Sequence, residues 1–199
     1  MMEIPAVFIN VQRAGPSTGV PTKTEQGDLW QALGASQGDF ERLIVAPTDA
    51  LDSFNIIPEL FNLCEQHQCP GIVISDLLIA EGTSSTDPED LDFKPEIDRG
   101  NIITTGASND ESNDEYLRYK ITESGISPRA LPGLEGHVHV VATDEHDQDG
   151  VLISDEYTNP HKRRRMVEKR ARKIVDIADK IKAPTLEGAT DAEVTLIGW

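Results

Sequence analysis

The loop Gln12–Thr24 contains the residues of this sequence that are best suited to binding a small anion. Arg13 carries a planar guanidinium whose donors match the geometry of a carboxylate or a phosphate. Glycine and proline residues beside it favour a tight turn in which backbone can approach a ligand closely. Hydroxyl groups that could complete such a site belong to Ser17, Thr18, Thr22 and Thr24. An ordinary surface loop with one exposed arginine explains the bare residues equally well.

The same loop ends in Lys23 and Thr24, which raises the question of a phosphate-binding P-loop. That motif requires G-x-x-x-x-G-K-[ST], because its glycines let the backbone amides surround the phosphates. Ser17 and Thr22 occupy the two glycine positions in this chain. The loop is therefore not predicted to bind a nucleotide in that way.

Two further groups of residues resemble metal ligands. Residues 144–150 read DEHDQDG, but a twelve-residue calcium loop counted from Asp147 would close on Thr158 instead of the required glutamate. His137 and His139 alternate along a predicted strand and so share a face, without an evident third ligand. A solvated turn and a pair of packed or exposed histidines are the favoured interpretations, and no metal site is predicted.

The two cysteines, Cys64 and Cys69, are too few to hold an iron–sulfur cluster. Their C-x4-C spacing matches no common zinc motif, and Cys64 lies on the apolar side of a predicted helix. A small buried hydrophobic residue is the favoured interpretation of Cys64. The chain shows no signal peptide and no apolar run approaching the ~20 residues of a membrane helix. We therefore expect a protein of the reducing cytoplasm with no membrane partner.

Charge is distributed very unevenly along the 199 residues, which carry 35 Asp and Glu against 18 Lys and Arg, a formal net charge of −17. Residues 161–182 hold ten Lys and Arg against three Asp and Glu, whereas residues 81–115 hold eleven Asp and Glu against two. An acidic chain repels phosphate backbones, so nucleic acid is not expected as a partner. The run Lys162–Arg165 is then better explained by a solvated or subunit-facing helix than by a nucleic-acid patch.

Three short apolar runs predict buried strands: Ala6–Val11, Leu43–Ala46 and Gly71–Ser75. The segments between them have helical spacing over Gln26–Ser36 and from about Asp49 to Gln68, with a break or kink expected at Pro58. Continuous apolar strands that alternate with helices are typical of a parallel sheet covered on both faces. We predict a doubly wound α/β fold, in which ligands bind beyond the carboxyl ends of the strands.

The remaining elements are predicted with less regular patterns. Residues 81–115 are interpreted as an acidic, partly mobile excursion, 137–143 as a strand, 144–154 as a polar loop and 159–181 as a long basic helix. Pro184 ends that helix, and Val194–Trp199 begins another strand. We expect residues 1–182 to form most of one domain and residues 183–199 to be a linker with the first strand of a following α/β domain.

Several ordered motifs resemble the alpha subunit of 2-oxoacid:ferredoxin oxidoreductases. The clearest are QRAGPSTG at 12–19, Pro21 with Thr22, and EQGDL at 25–29. Three later segments agree with the same family, namely Pro70–Asp76, ITESGISPRALPG at 121–133, and Glu145–Asp147 with Gly150 ahead of the basic helix. The resemblance extends from Pro5 to Trp199 and is weakest in the acidic stretch.

The resemblance implies that residues 1–182 are most of the domain that holds the pyrimidine end of thiamine diphosphate. It places Arg13 at the arginine that binds the substrate carboxylate, and Thr18 at a hydroxyl that lines the same pocket. With Ser17 from the loop, the predicted substrate-binding residues are Arg13, Ser17 and Thr18. No catalytic residue, metal ligand or cofactor-binding residue is assigned in this chain.

The implied reaction is the oxidative decarboxylation of a 2-oxoacid with coenzyme A, which gives an acyl-CoA, carbon dioxide and reduced ferredoxin. 2-Oxoglutarate is the first choice of substrate, branched-chain 2-oxoacids the second and pyruvate the third. Thiamine diphosphate and Mg²⁺ are expected to be shared with a beta subunit, and an iron–sulfur cluster is expected in that partner and not in this chain. The implied partners are thus the beta subunit, ferredoxin, the 2-oxoacid and coenzyme A.

The sequence also departs from the family pattern. Ala14 stands where glycine is usual, and Gln37 stands where histidine is common. The family's upstream proline-rich motif, its upstream glutamate that protonates the aminopyrimidine, and its Gly-Asp-Gly diphosphate motif do not occur. We therefore expect an interior piece of an alpha subunit, incomplete at both ends and inactive alone. A non-catalytic assembly module on the same scaffold is the alternative hypothesis.

Overall fold

Three of the predicted apolar segments form a parallel sheet in the computed structural model, which describes residues 1–38, 40–105, 115–153 and 160–198. Strands β1 (Ala6–Gln12), β2 (Leu43–Val45) and β3 (Pro70–Asp76) lie in the order β1-β3-β2. All pairs are parallel, and the register places Gln12 beside Asp76 at the carboxyl edge. The three predicted strands and their parallel arrangement are confirmed.

The described residues contain four α-helices, namely α1 (Leu29–Gly34), α2 (Ala50–His67), α3 (Leu77–Glu81) and α4 (Pro160–Arg172). The first three contact the strands of the sheet. A 3₁₀ turn at Pro88–Asp90 follows α3, and a second parallel pair joins β4 (Ile102–Ile103) to β5 (Arg129–Ala130). Of the two residues that the sequence offers as a cap for α2, Thr48 and Asp49, it is Asp49 that caps the helix, by accepting a hydrogen bond from the Asp52 amide at 2.8 Å.

Helix α2 continues through Pro58, so the expected break does not occur. Leu60 and Leu63 follow the proline within the next two turns, and both are buried against the sheet. This packing holds the helix together and offsets the lost backbone hydrogen bond.

The strand order places α1 and α2 on opposite faces of the sheet. The connection from β1 to β2 passes over β3, and the connection from β2 returns to β3, so two right-handed crossovers cover opposite faces. Side chains agree with this geometry, because Val73 packs in the core with α2 whereas Asn10 is hydrogen-bonded to Asp28 beside α1. The fold is doubly wound, as predicted.

The main core lies between α2 and the sheet. A Cβ added at Gly71 would lie 2.7 Å from the Cys64 sulfur, so the glycine lets helix and strand approach closely. Burial raises the pKa of the Cys64 thiol to about 12, which agrees with its interpretation as a small hydrophobic residue. The buried members of this core are Leu43, Leu60, Leu63, Cys64, Cys69, Val73 and Ile177.

The predicted strand at 137–143 and the predicted length of the basic helix differ from the structure. Residues 137–143 form no strand, and Val138 is 90% exposed, because alternating apolar residues need a neighbouring strand to become a ladder. The basic helix ends at Arg172 and is followed by successive turns. His67 Nδ1 donates to the Lys173 carbonyl, so this oxygen is bonded to a side chain instead of to a backbone amide of a continuing helix.

The acidic stretch is attached to α2 over its described part. Asn62 donates its side-chain amide to the Glu96 carbonyl at 2.8 Å and accepts from the Asp98 amide at 3.0 Å. Phe54 and Phe93 pack edge to face with their centroids 5.5 Å apart. These contacts hold residues 93–98 along the helix, and so this part is not a free loop.

Residues 183–198 contain no regular element, so the predicted strand from Val194 does not form. A strand needs a pairing partner, and Leu196 and Ile197 are more than 90% exposed.

The domain boundary at residue 182 stays a prediction. Parts of other predictions lie outside the described residues, namely Asp39, 106–114, Ser154, Asn159 and Trp199.

A buried ionic network joins the segment before β1 to helix α4. The Glu3 carboxylate accepts hydrogen bonds from Lys169 Nζ at 2.7 and 2.8 Å and lies 3.2 Å from Lys173 Nζ. Arg118 donates to the Glu3 carbonyl at 2.8 Å, and all four residues are at most 5% exposed. The inner half of the basic run is therefore structural, whereas Lys162–Arg165 are exposed.

We expect Leu60→Ala to lower the free energy of unfolding by about 2–5 kcal/mol, because Leu60 is 1% exposed and its loss leaves a cavity in the core. Urea denaturation measures the loss. The same substitution at Leu186, which is 82% exposed, is the matched control and should leave the midpoint almost unchanged. Equal effects of the two substitutions would show that the core lies elsewhere.

We expect Glu3→Gln to destabilise the protein by about 3–5 kcal/mol at pH 7, because two buried lysines then lack a counter-charge. The pKa of Lys169 is lowered to about 8, because burial disfavours its charged form. Above pH 8 Lys169 loses its proton, so the penalty of the substitution should be smaller at pH 9.5 than at pH 7.

Urea titrations at the two pH values measure this change. Glu59→Gln is the control, since the one ion pair of Glu59 among the described residues is with the exposed Lys182. A penalty for Glu3→Gln that is no larger than that of the control, or that grows with pH, would contradict the network.

Candidate functional site

The loop that follows β1 leaves the sheet at its carboxyl edge. β1 ends at Gln12 and its neighbour β3 ends at Asp76, directly opposite in the register. Ligands of open α/β sheets bind outside this edge, where loops are free to vary without disturbing the core. The structure thus places the whole predicted loop at the position where such a fold binds small molecules.

A small hairpin shapes the first part of the loop. The Val20 amide donates to the Ala14 carbonyl at 3.0 Å and closes it. Gly19 has φ +55°, and a Cβ there would overlap the Ala14 carbonyl, so glycine is required. Ser17 adopts the left-handed region without being glycine, at φ 54°, which is common at binding sites. Ala14 is not in that region, so its Cβ is accommodated.

The three predicted substrate-binding residues, Arg13, Ser17 and Thr18, lie together on this hairpin and are exposed. Within the described parts of the chain, Arg13 forms no ion pair and no hydrogen bond, so its guanidinium is available to an incoming anion. A free fork at the end of a parallel strand can grip a carboxylate bidentately. Their role in binding substrate stays a prediction.

A cleft of about 310 Å³ lies between the second part of the loop and α3. The loop contributes Thr22, Lys23 and Thr24, and α3 contributes an apolar wall of Leu77 and Leu78 together with the acidic Glu81. The hydroxyls of Thr22 and Thr24 were recognisable in the sequence, but Lys23 was considered only as the end of a P-loop. The sequence does not indicate that α3 lines a cleft, because Leu77–Ala80 continue the apolar pattern of β3.

A layer of hydrogen-bonded polar side chains lies under this edge, with Gln12 and Asp76 buried and Asn10 and Asp28 half-buried. Gln12 Oε1 accepts from the Asp28 amide at 3.1 Å, and Asp28 accepts from Asn10 Nδ2 at 3.0 Å. Asp76 caps α3 by accepting from the Ile79 amide at 3.0 Å, and it accepts from Gln26 at 3.4 Å. Gln12 Nε2 is buried and has no acceptor in the described residues. Sequence analysis missed this layer, because hydrogen-bond partners are set by tertiary structure.

The acidic segment 144–150 proves to be structural. Glu145 is paired bidentately with Arg170 at 2.9 Å, and His146 is fully buried against the Met1 carbonyl at 3.2 Å. The interpretation as a solvated turn is therefore wrong for these two residues. The described residues contain no group of three or more His, Cys, Asp or Glu side chains that could hold a metal ion.

The remaining candidates are the two histidines and the second cysteine. His137 and His139 flank the Tyr116 ring, with centroids 4.9 and 6.0 Å from it. Burial raises the pKa of the Cys69 thiol to about 11, so this cysteine, like Cys64, is a poor nucleophile near neutral pH. Among the helices in the described ranges, none combines the length and apolar character needed to cross a bilayer.

Comparison with known proteins agrees with this architecture. A family model described as pyruvate flavodoxin/ferredoxin oxidoreductase, thiamine-diphosphate-binding, matches residues 1–169. The solved 2-oxoglutarate:ferredoxin oxidoreductase of Magnetococcus marinus, with 2-oxoglutarate, coenzyme A and succinyl-CoA bound, superposes with a TM-score of 0.74 at 32% identity. The superposition covers 96% of this chain and 32% of that chain, and it confirms the α/β fold.

Two curated relatives extend the comparison. The alpha subunit of 2-oxoacid:ferredoxin oxidoreductase 2 of Aeropyrum pernix is 35% identical over an alignment of 201 residues that covers 99% of this chain. The KorA subunit of the 2-oxoglutarate oxidoreductase of Mycobacterium tuberculosis is 36% identical over 202 residues, covering the whole of this chain. This chain spans 29% of the length of each of these two relatives.

We expect Gly19→Ala to open the hairpin of the loop, because the new Cβ would overlap the Ala14 carbonyl. The amide resonance of Val20 should shift and exchange faster with solvent, as NMR can measure. Gly15→Ala is the matched control, since a Cβ there meets no atom closer than 3.9 Å. An unchanged Val20 amide in the Gly19 variant would contradict the described loop.

Proposed function

This chain belongs to the pyruvate flavodoxin/ferredoxin oxidoreductase family, in its thiamine-diphosphate-binding domain, and we propose that it orients the 2-oxoacid in a 2-oxoacid:ferredoxin oxidoreductase. The reaction converts a 2-oxoacid and coenzyme A to an acyl-CoA, carbon dioxide and a proton, and passes two electrons to ferredoxin. 2-Oxoglutarate is the proposed substrate, since relatives and the structural neighbour carry that name.

The observation that carries this proposal is the free guanidinium of Arg13 at the carboxyl end of β1. The side chain is exposed and lacks a counter-ion within the described ranges, so binding a carboxylate breaks no internal pair. Ser17 and Thr18 offer hydroxyls on the same hairpin. A carboxylate gripped in this way would hold the adjacent keto carbon in one orientation, which lowers the entropic part of the barrier.

The donor groups at this edge also suit the neutral end of a bound cofactor. Beside its charged groups, the edge offers amides and hydroxyls, which can bind the ring nitrogens and amino group of a pyrimidine. When bound, thiamine diphosphate supplies the carbon nucleophile of the reaction. We propose that its diphosphate and Mg²⁺ are held by a beta subunit, which also carries the iron–sulfur cluster.

The residues of this chain then act by binding and excluding water. Arg13 holds the carboxylate that leaves as carbon dioxide, so its contact must be strong enough to orient the substrate without over-stabilising it. The apolar wall of Leu77 and Leu78 lines the cleft beside the loop and would keep water from one side of the substrate. The proposed assembly works in the cytoplasm, with ferredoxin as its electron acceptor.

We expect Arg13→Ala to lower kcat/KM for 2-oxoglutarate by about 30-fold to several thousand-fold in the assembled enzyme, because removing half of a buried charge pair costs about 2–5 kcal/mol. Ferredoxin reduction measures the rate. Arg164→Ala, at an exposed position on α4, controls for the loss of one positive charge and should retain activity. Unchanged turnover in the Arg13 variant would contradict its role.

A further inference from the structure

Among the described residues, the side-chain Nε2 of Gln12 is the one buried polar atom at the carboxyl edge that has no hydrogen-bond partner. Gln12 is 1% exposed, and its Oε1 is fixed by the Asp28 amide at 3.1 Å. Because the oxygen is committed, the Nε2 donor points away from that contact and meets no acceptor. A buried donor without an acceptor costs about 1–3 kcal/mol. This unpaired donor lies at the edge of the sheet where ligands of such folds bind.

The position of Gln12 connects this donor to the cleft. Gln12 and Asp76 are register neighbours, and Leu77, the residue after Asp76, lines the cleft. Helix α3 contains no buried residue, and Leu78 is 71% exposed, so few contacts hold this wall in place. Gln12 is not among the residues that line the cleft, so a ligand there would reach its amide only if α3 or the Thr22–Thr24 segment shifted. A wall held by few contacts can shift at little cost.

Gln12 and Arg13 also approach the edge from different sides. Successive side chains of a strand point to opposite faces, and Gln12 lies on the face that carries α1. Arg13 follows it immediately and leaves the sheet on the hairpin. A molecule with two neighbouring oxygen-bearing carbons, seated over the end of β1, could therefore be contacted by both side chains.

We propose that Gln12 is a substrate-binding residue whose Nε2 donates a hydrogen bond to the keto oxygen of the bound 2-oxoacid. This inference rests on the proposed function and extends it from the carboxylate to the reacting carbonyl. Arg13 binds the carboxylate, and Gln12 Nε2 donates to the keto oxygen next to it. A donor at the keto oxygen stabilises the negative charge that builds there when the keto carbon is attacked. Substrate would thus give Gln12 Nε2 the hydrogen-bond acceptor that it lacks in the protein.

The test is Gln12→Glu in the assembled enzyme. Glutamate keeps the oxygen that accepts from Asp28 and has the same shape, but its second oxygen cannot donate while ionised. We expect kcat/KM for 2-oxoglutarate and for pyruvate to fall by about 100-fold near neutral pH. The activity of the variant, relative to wild type, should recover as the pH is lowered, because a protonated carboxyl regains a donor.

Gln31→Glu is the control, because it makes the same chemical change on the exposed side of α1. Thermal unfolding of each variant measures stability separately. A normal rate in Gln12→Glu, with an active wild type, overturns the inference and leaves the proposed function standing. A loss that follows a lower unfolding temperature and shows no recovery at low pH also overturns it, because the role is then structural. A wild-type enzyme that turns over no 2-oxoacid overturns the proposed function itself.

Discussion

The register between β1 and β3 is the constraint on which the site depends. Val73 faces α2 in the apolar core, whereas Asn10 and Gln12 face the polar layer beside α1. A slip of β1 by one residue would exchange these faces and bury two amides against the core, so the packing fixes a single register. That register brings Gln12 beside Asp76 and releases Arg13 at the edge of the sheet.

A second constraint holds the start of β1. Glu3 lies three residues before the strand and is bound by two lysines from α4 and the turn after it. Buried ion pairs of this kind add little net stability but are costly to break, so they fix which segments meet. The network accounts for Lys169, Arg170 and Lys173 in this acidic chain, because their charges pair with internal carboxylates.

The sequence predicted those parts of the fold that local patterns determine. Strands such as Gly71–Ser75 are continuously apolar, and the Asp49 cap is a local hydrogen bond, so both were recognisable. Residues 137–143 have the same local pattern and form no strand, because pairing depends on a neighbour that sequence does not reveal. The position of Arg13 followed from a motif with fixed spacing. The unpartnered amide of Gln12 could not be predicted, since it depends on which groups surround it in space.

The most direct test of the account is an electron cryomicroscopy structure of the assembled enzyme that contains this chain, with 2-oxoglutarate bound. We expect density for the acid over the carboxyl end of β1, with its carboxylate within hydrogen-bond distance of the Arg13 guanidinium. Substrate density bound elsewhere, with Arg13 paired to a carboxylate of the protein, would contradict it.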